Sequence, residues 1–426
     1  MPYGQTHLAF ELPPAMTGTV ALSRPAEPLA DLSSAVADAL AHPINALPLR
    51  ELAEPGCRAC IVFTDITRAC PDHVLVPAML AELEGAGVKD EDITLLCGTG
   101  LHRPSSPEEK QIKLGKGVVD RYRVIDHDPT NKKALVDLGK TEAGIPLSLH
   151  RTAYEADLLM ATGIVEPHQY AGYSGGGKTV AIGAGGEAVI AFTHGPSMVD
   201  HPGTRLGKIQ GNPFQAAVRE ASQKGGLKFI VNVVQDESKR PVAVYAGEPE
   251  ATFLKLVEVA RTLYEVPVPH VYDVAVAGVG FPKDLNLYQA TRAVSYLFFA
   301  PTCVLKEGGV FILPVPTPEG VGQGLGEQRF LEKMGSAADA ASLLAELRRT
   351  GYPPGAQRAF IMAKVLEKTH VIVVGWETPE IVEALKMIPA QNMNEAFQIA
   401  AKTWGRQDLD VLIVPHAMQT LPVVSG

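Results

Sequence analysis

The chain has 426 residues, of which 46% are apolar and 20% charged, and its net charge is −9. Because one hydrophobic core rarely accommodates so many residues, we expect two domains. The acidic balance argues against nucleic acid or an anionic membrane surface as a partner, although a local basic pocket for a small anionic substrate remains compatible with it.

Two further features bear on where the protein works. The sequence shows no basic and apolar leader at its start and no apolar run of about 18 residues, so we expect neither an export signal nor a membrane span. Its five cysteines are an odd set in a large chain, which is typical of a reducing compartment. We therefore expect a cytoplasmic protein.

Short apolar runs alternate with amphipathic stretches along the chain. The apolar runs predict strands at residues 60–64, 93–97, 123–125, 158–162, 229–234, 274–277, 310–313, 371–374 and 411–414. The amphipathic stretches predict helices at residues 72–83, 213–223, 251–264, 289–299, 337–348, 356–368 and 394–404. This alternation predicts an α/β fold with mostly parallel sheets flanked by helices.

A domain boundary is predicted where the long helix at 251–264 ends. Residues 265–272 read EVPVPHVY, and a new predicted strand follows at once. Proline resists helix continuation and stiffens a linker, so this segment is typical of an interdomain connection. The predicted domains are 1–268 and 269–426.

One glycine-rich segment concentrates residues that can do chemistry. It begins at Gly163, at the end of a predicted strand, and contains Lys178 together with His168, His194 and His201. Ligands bind at the carboxyl ends of strands in open α/β sheets. The segment therefore predicts a binding site.

Residues 172–179 of this segment, GYSGGGKT, match the phosphate-loop pattern of nucleotide triphosphatases in full. Residues 166–171 nevertheless separate the match from its strand, and Gly183, Gly185 and Gly186 weaken the helix that would hold the phosphates. A phosphate-loop triphosphatase and a purely structural glycine loop both stay open as alternatives.

Two other strand ends add polar residues to the same sheet edge. Asp65, Thr67 and Arg68 follow the strand at 60–64, where a carboxylate can hold ribose hydroxyls and a guanidinium can hold a phosphate. A helix-capping aspartate and a surface arginine are the alternative interpretation. His102 follows the next strand and is expected at the same edge as Asp65 and His168.

Five motifs in this order resemble the lactate racemases that carry a nickel-pincer nucleotide: DITRACP, GTGLHRP, EPHQYAGYSGGGK, FTHGPSM with its downstream HPG, and NLYQATR. The resemblance covers nearly the whole chain. It implies two α/β domains with the active site in the cleft between them. It also implies a cofactor, pyridinium-3,5-bisthiocarboxylic acid mononucleotide, whose two thio-carboxyl arms hold nickel.

The resemblance also implies residue roles. Lys178 is expected to be joined covalently to the cofactor, His194 to be a nickel ligand, and His102 and His168 to be the catalytic acid/base pair. The residues expected to contact the cofactor are Asp65, Ile66, Thr67, Arg68, Gly175 and Gly176.

Two residues of the predicted second domain complete this set. Gln289 and Arg292 are expected to bind the substrate, and they share a helix face at their spacing of three residues. Arg292 stands where the resemblance leads us to expect a lysine, so the sequence leaves the identity of the acid open.

The chemistry of a 2-hydroxy acid agrees with these roles. Its α-hydrogen is poorly acidic beside a carboxylate, so removal as hydride, giving a planar 2-oxo acid, is the easier route to inversion. No side chain accepts hydride, so a cofactor must accept it. A neutral imidazole is a good nickel ligand, and square-planar geometry suits Ni(II). Two histidines provide one proton acceptor for each enantiomer.

The expected protein is therefore a racemase or epimerase that inverts C2 of a small 2-hydroxy acid such as lactate. Enzymes of cofactor synthesis are expected partners, because nothing in this chain looks able to build the nucleotide. A carrier that holds nickel or the nucleotide without turnover is the remaining alternative, and it would leave His102, His168, Gln289 and Arg292 unused.

Overall fold

The computed structural model describes residues 1–353, 356–376 and 378–425. Within them, the strands are β1 Pro2–Tyr3, β2 Thr6–His7, β3 Thr17–Val20, β4 Ala59–Thr64, β5 Ile93–Gly98, β6 Arg123–Asp126, β7 Leu135–Lys140, β8 Pro146–His150, β9 Leu158–Ile164, β10 Pro167–His168, β11 Gly172–Tyr173, β12 Leu227–Gln235, β13 Pro241–Gly247, β14 Glu265–Val268, β15 Tyr272–Ala277, β16 Leu305–Pro314, β17 His370–Val374, β18 Ile388–Ala390, β19 Asp410–Val414 and β20 Leu421–Val424. The α-helices are α1 Leu32–Ala41, α2 Leu49–Leu52, α3 Asp72–Gly85, α4 Pro107–Leu114, α5 Lys116–Arg121, α6 Arg151–Tyr154, α7 Glu187–Thr193, α8 Pro196–Asp200, α9 Pro213–Lys224, α10 Pro249–Tyr264, α11 Leu287–Phe298, α12 Leu325–Ser336, α13 Ala340–Thr350, α14 Gln357–Lys368, α15 Pro379–Ala384 and α16 Met393–Trp404.

The chain forms two compact units that interleave along the sequence. The first unit comprises Pro25–His194 and Lys208–Leu263. The second unit comprises Met1–Arg24, Gly195–Gly207 and Tyr264–Gly426. Sequence analysis divided the chain once, after residue 268, whereas in the structure β3, near the start of the chain, pairs with β19 and so belongs to the second unit.

The first unit is built on a six-stranded sheet in the order β13-β12-β9-β4-β5-β6. All neighbouring strands are parallel except β13, which runs antiparallel to β12. From β4 the chain adds β5 and β6 on one side, and it later adds β9 and β12 on the other. The carboxyl ends of β4 and β9 therefore flank a topological switch point, where open α/β sheets bind ligands.

The sequence of these strands explains their position in the sheet. β4, with the sequence ACIVFT, and β9, with the sequence LLMATGI, are buried at every residue. Continuous apolar runs of this kind fit central parallel strands that are covered on both faces. Burial of both faces fixes the strand ends, and with them the loops that follow.

The second unit has its own six-stranded sheet, in the order β18-β17-β16-β15-β19-β3, and all of its pairs are parallel. Its central strand β15 is buried throughout. Helix α11 follows β15, and the side chain of Asn286 caps it by accepting a hydrogen bond from the amide of Gln289 at 2.9 Å. This cap fixes where the helix begins.

The predicted α/β fold with mostly parallel sheets flanked by helices is confirmed, and every predicted strand and helix overlaps an observed one. The segment expected to be a linker is different, because Glu265–Val268 forms β14 and pairs with β20. Proline is tolerated there because the sheet has two strands and each of them is an edge. None of the described helices is both long enough and apolar enough to cross a membrane.

Candidate active site

Three neighbouring strands of the first unit deliver polar side chains to one sheet edge. Asp65 directly follows β4, His102 lies in the loop after β5, and His168 ends the short strand β10 that follows β9. The sheet order β9-β4-β5 places these loops side by side at the switch point. Because parallel strands have their carboxyl ends at the same edge of the sheet, the three residues share that edge, as expected.

Asp65 and His102 form a hydrogen-bonded pair. The Oδ2 atom of Asp65 lies 2.7 Å from Nδ1 of His102, and the aspartate side chain is 6% exposed while the histidine is 47% exposed. Burial raises the pKa of Asp65, but hydrogen bonds from His102 and Thr67 outweigh it and lower the pKa to about 2. The carboxylate is therefore ionised at neutral pH and holds a ring that faces solvent.

The loop between β4 and α3 is fixed by its own hydrogen bonds. The Oδ1 atom of Asp65 accepts a hydrogen bond from the amide of Thr67 at 2.7 Å and another from its hydroxyl. The amide of Arg68 donates to the carbonyl of Asp65 at 3.1 Å. In this turn Ile66 is half-buried, while Thr67 and Arg68 are exposed and accessible to a ligand.

A buried lysine holds this loop through hydrogen bonds to its backbone. Lys113 on α4 donates from Nζ to the carbonyls of Arg68 at 3.1 Å and Cys70 at 3.0 Å. It also forms an ion pair with Asp72 at 2.7 Å, in which the side chains are 6% and 0% exposed. Sequence analysis missed Lys113, because it belongs to a helix that carried no prediction.

His168 is held differently from His102. Its Nδ1 atom accepts hydrogen bonds from the amides of Ala171 at 3.1 Å and Tyr170 at 3.3 Å, within the turn that joins β10 to β11. An atom that accepts two amide protons carries none of its own, so the neutral ring has its proton on Nε2. The turn therefore selects the tautomer.

Lys178 is half-buried at the start of a π-helical turn, Thr179–Gly183. Burial, together with the nearby cation of Arg68, lowers its pKa to about 7 against the opposing influence of Glu166 and Asp65. A substantial fraction of this amine is therefore neutral near pH 7, which is the state in which an amine acts as a nucleophile.

His194 follows helix α7 and is half-buried. Its Nδ1 atom lies 3.0 Å from the carbonyl of Ile190, which can only accept, so this nitrogen carries the proton and the lone pair lies on Nε2. Burial and the charge of Lys178 together lower the pKa of His194 to about 4. The neutral imidazole required of a metal ligand is thus favoured.

An aromatic cluster packs between the two histidines of the glycine-rich segment. Tyr170 lies 5.3 Å from His194 and 5.8 Å from His168 between ring centroids. Phe214, which is fully buried at the start of α9, lies 5.3 Å from His194 and 6.0 Å from His168. Sequence analysis missed Phe214, because it lies far along the chain with no motif around it.

The glycines of the apparent phosphate loop serve packing. The backbone of Gly176 has a φ of +58°, and an added Cβ would lie 2.9 Å from the ring of Phe253. The amide of Gly176 donates to Oδ1 of Asn232 at 2.8 Å, and that of Lys178 to the carbonyl of Gly175 at 3.2 Å. These amides are not directed at a phosphate, and no regular helix follows, so the triphosphatase alternative loses its structural basis.

Gln289 and Arg292 lie on α11 of the second unit, and both are half-buried. The Nε atom of Arg292 donates to Oε1 of Gln289 at 2.9 Å, which agrees with the expected shared face. His201, also of the second unit, is exposed and accepts at Nδ1 from the amide of Gly203 at 3.0 Å. This contact lies within its own turn.

The described side chains of the first unit do not by themselves supply the set of ligands that a metal needs. Among the described residues, no group of three or more His, Cys, Asp or Glu side chains is placed to bind one. A metal held by His194 would therefore need further ligands from a bound group. Lys178 lies close enough for its charge to influence His194.

Comparison with known proteins agrees with the fold and indicates the family. The sequence profiles described as "Lactate racemase N-terminal domain" and "Lactate racemase C-terminal domain" match residues 3–207 and 270–421. Lactate racemase from Thermoanaerobacterium thermosaccharolyticum is 30% identical over 424 residues, covering 99% of this chain and 98% of that protein. The enzyme of the same name from Lactiplantibacillus plantarum is 30% identical over 388 residues, covering 90% and 89%.

Solved structures give the same result. The lactate racemase apoprotein from Thermoanaerobacterium thermosaccharolyticum superposes with a TM-score of 0.85 at 28% identity, covering 99% of each chain. A protein from Thermotoga maritima superposes with a TM-score of 0.65 at 20% identity, covering 92% of this chain and 98% of its own, and this likeness concerns the fold alone. The protein is therefore an isomerase of the racemase class. It belongs to the lactate racemase family, as the sequence motifs indicated.

Proposed function

We propose that the protein interconverts the two enantiomers of lactate or of a closely related 2-hydroxy acid. Its relatives are lactate racemases. The observation that supports the proposal best is the hydrogen-bonded pair of Asp65 and His102 at the strand ends, at the sheet edge that also holds Lys178 and His168. Such a pair is a common arrangement for acid/base catalysis on a hydroxyl group.

The proposal includes the nickel-pincer nucleotide, and the residues present fit this group. Lys178 has an amine that is partly neutral, which suits covalent attachment. His194 presents the Nε2 lone pair that a metal requires, while Nδ1 is fixed by the carbonyl of Ile190. Arg68 is exposed beside Lys178 and suits the nucleotide's phosphate. When bound, this group supplies the hydride acceptor that the side chains lack.

The side chains of this chain manage the proton and the orientation of the substrate. His102 accepts the hydroxyl proton at Nε2 while the C2 hydrogen is removed, and a planar 2-oxo acid results. His168 serves the opposite enantiomer from its own strand end. Gln289 and Arg292 are proposed to hold the substrate carboxylate, because a guanidinium grips a carboxylate through two parallel hydrogen bonds.

The test is turnover by protein produced together with the enzymes of cofactor synthesis. Intact mass and nickel content report loading, and a set of 2-hydroxy acids of one handedness reports inversion and identifies the preferred acid. We expect protein free of adduct and nickel to be inactive. Robust racemisation by such protein would contradict the proposal, and loaded protein that inverts no acid would indicate a carrier.

His102→Ala and His168→Ala test the acid/base pair. Each substitution is expected to lower turnover by at least about a hundredfold, a typical effect of losing an acid/base group. The equilibrium constant between enantiomers is unity, so kcat/KM must fall equally in both directions. His42→Ala, at an exposed histidine on the end of α1, is the control and should leave the rate unchanged. Near-normal rates in both catalytic variants would contradict the assignment.

A further inference from the structure

We propose that Asp65 is a positioning residue that holds His102 in the tautomer able to accept a proton from the substrate. The sequence assigned Asp65 to the cofactor instead. The catalytic part of this inference rests on the proposed function, whereas its structural part concerns the hydrogen-bonded pair and can be measured without turnover.

The hydrogen bonds of Asp65 carry the argument. Its Oδ1 atom accepts from the amide and the hydroxyl of Thr67, and its Oδ2 atom lies 2.7 Å from Nδ1 of His102. An ionised carboxylate can only accept, so Nδ1 of His102 must carry the proton of that hydrogen bond. The lone pair of the neutral ring is consequently on Nε2, the nitrogen that remains to face a substrate.

Burial makes this arrangement rigid and ionic. Asp65 is 6% exposed and both of its oxygens have partners within its own loop or on His102. Its pKa is about 2, so it does not protonate in the neutral range. A fixed negative charge beside Nδ1 stabilises the imidazolium that forms when Nε2 takes a proton, and it opposes rotation of the ring.

His168 provides an internal comparison. Two backbone amides donate to its Nδ1 atom, so its neutral ring carries the proton on Nε2. The two rings at this sheet edge are therefore held in opposite tautomers by opposite kinds of partner, a carboxylate for His102 and amides for His168. Of the two rings, His102 is therefore the one whose neutral form already presents an acceptor, Nε2, for the substrate hydroxyl proton, whereas His168 can accept a proton only after the amide contacts at its Nδ1 change.

The proton transfer balances as follows. The substrate O–H bond breaks and an N–H bond forms at Nε2 of His102, while the Nδ1–H bond to Asp65 is retained. The imidazolium and the Asp65 carboxylate then form an ion pair. In the reverse direction the same proton returns from Nε2 of His102 to the substrate oxygen; the proposed cofactor, when bound, would supply the matching hydride at C2.

The first test is nitrogen-15 NMR of the histidine rings in cofactor-free protein. The resonances of His102 are assigned by their loss in His102→Gln. We expect a protonated Nδ1 and an unprotonated Nε2 in the parent protein near pH 8. In Asp65→Asn we expect loss of this preference, because an amide can either donate to or accept from Nδ1. A His102 ring protonated mainly on Nε2 in the parent protein would overturn the proposal.

The chain offers a matched control in the pair formed by Asp38 and His42. Their Oδ1 and Nδ1 atoms are 3.0 Å apart, and each side chain is 77% exposed. Asp38→Asn should therefore alter neither the resonances of His102 nor turnover. If Asp65→Asn does not fold, the measurement on the parent protein still decides the question.

The second test uses loaded protein. Asp65→Asn should retain the Lys178 adduct and its nickel, while kcat falls by about a hundredfold or more and KM changes little. Loss of the adduct with an unchanged His102 tautomer would make Asp65 a cofactor contact and overturn the proposal. The expected tautomer in a parent protein that racemises no acid would leave the positioning role intact and contradict the proposed function instead.

Discussion

At the residue scale, hydrogen bonding at Nδ1 determines which nitrogen of His194 carries the lone pair. The carbonyl of Ile190 holds the proton on Nδ1 and leaves the lone pair on Nε2. His194→Ala is expected to remove nickel while the organic adduct on Lys178 remains, because attachment uses the lysine. Metal analysis together with intact mass measures both.

His201→Ala is the matched control for that experiment. This histidine lies seven positions along the same motif, but it is exposed and its Nδ1 accepts from the amide of Gly203. Nickel content should be unchanged in it. Equal nickel loss in both variants, or full nickel content in His194→Ala, would contradict the assignment of His194 as the ligand.

The predicted role of Arg292, binding the substrate carboxylate, can be tested by changing its side chain and the substrate acid. Its guanidinium is already oriented by Gln289 through the 2.9 Å hydrogen bond at Nε. Removing a charge contact from a semi-enclosed site costs about 2–5 kcal/mol, so Arg292→Ala should lower kcat/KM by well over tenfold for every accepted acid. Arg292→Lys should recover part of the loss with imperfect geometry.

The measurement compares two acids with different side chains. Arg349→Ala, at an exposed arginine on α13, is the control and should leave kcat/KM unchanged. A loss confined to one acid would make Arg292 a selector of the substrate side chain. An unchanged Arg292→Ala would remove it from the site.

At the scale of elements, the buried ion pair between α3 and α4 supports the Asp65–Arg68 turn. Lys113 neutralises Asp72 and also donates to two carbonyls of the loop. Lys113→Met leaves an uncompensated buried carboxylate, so we expect the free energy of unfolding to fall by about 3–5 kcal/mol. Urea unfolding measures this loss.

A second substitution separates charge from packing. In Lys113→Met with Asp72→Asn, the buried charge is gone, and we expect at least part of the lost stability to return. The two effects should be strongly non-additive, as is usual for residues in direct contact. Additive losses would show that Lys113 acts through packing and not through Asp72.

The elements also show how far sequence reasoning reaches. Apolar runs predicted β4, β5 and β9, and the rule that parallel strands end at one edge then placed Asp65, His102 and His168 together. Phe214 and Lys113 could not be found in this way, since their contacts arise from helices packing against a sheet edge. Similarly, β14 was taken for a linker, because its partner β20 lies more than a hundred residues further along the chain.

At the scale of the whole molecule, buried histidines make stability depend on pH. His127 and His150 are buried with ring centroids 5.6 Å apart. Burial lowers the pKa of His150 from 6.5 to about 4, with His127 and Arg123 adding to the effect, and burial also lowers the pKa of His127. Between pH 4 and pH 6.5 the unfolded chain therefore binds more protons than the folded one.

This difference in proton binding determines whether stability rises or falls with pH. The contribution of His150 to stability is complete above pH 6.5 and is lost as the pH falls toward 4. A shift of this size in a buried ring corresponds to about 3 kcal/mol. Urea unfolding at several pH values should show the decline, and His150→Gln should show a smaller one. Equal slopes in the two proteins would contradict the prediction.

The pairing of β3 with β19 has a consequence for how the chain reaches its native state during synthesis. Thr17 is synthesised almost four hundred residues before Asp410, its partner across the sheet. The second unit therefore cannot complete its sheet until β19 has been made, whereas Pro25–Leu263, which contains the whole first unit, is available long before that. Contacts this distant in sequence form slowly, and an unpaired strand that waits for them is exposed to aggregation. Moving residues 1–24 to a position after β20 should therefore reduce this aggregation.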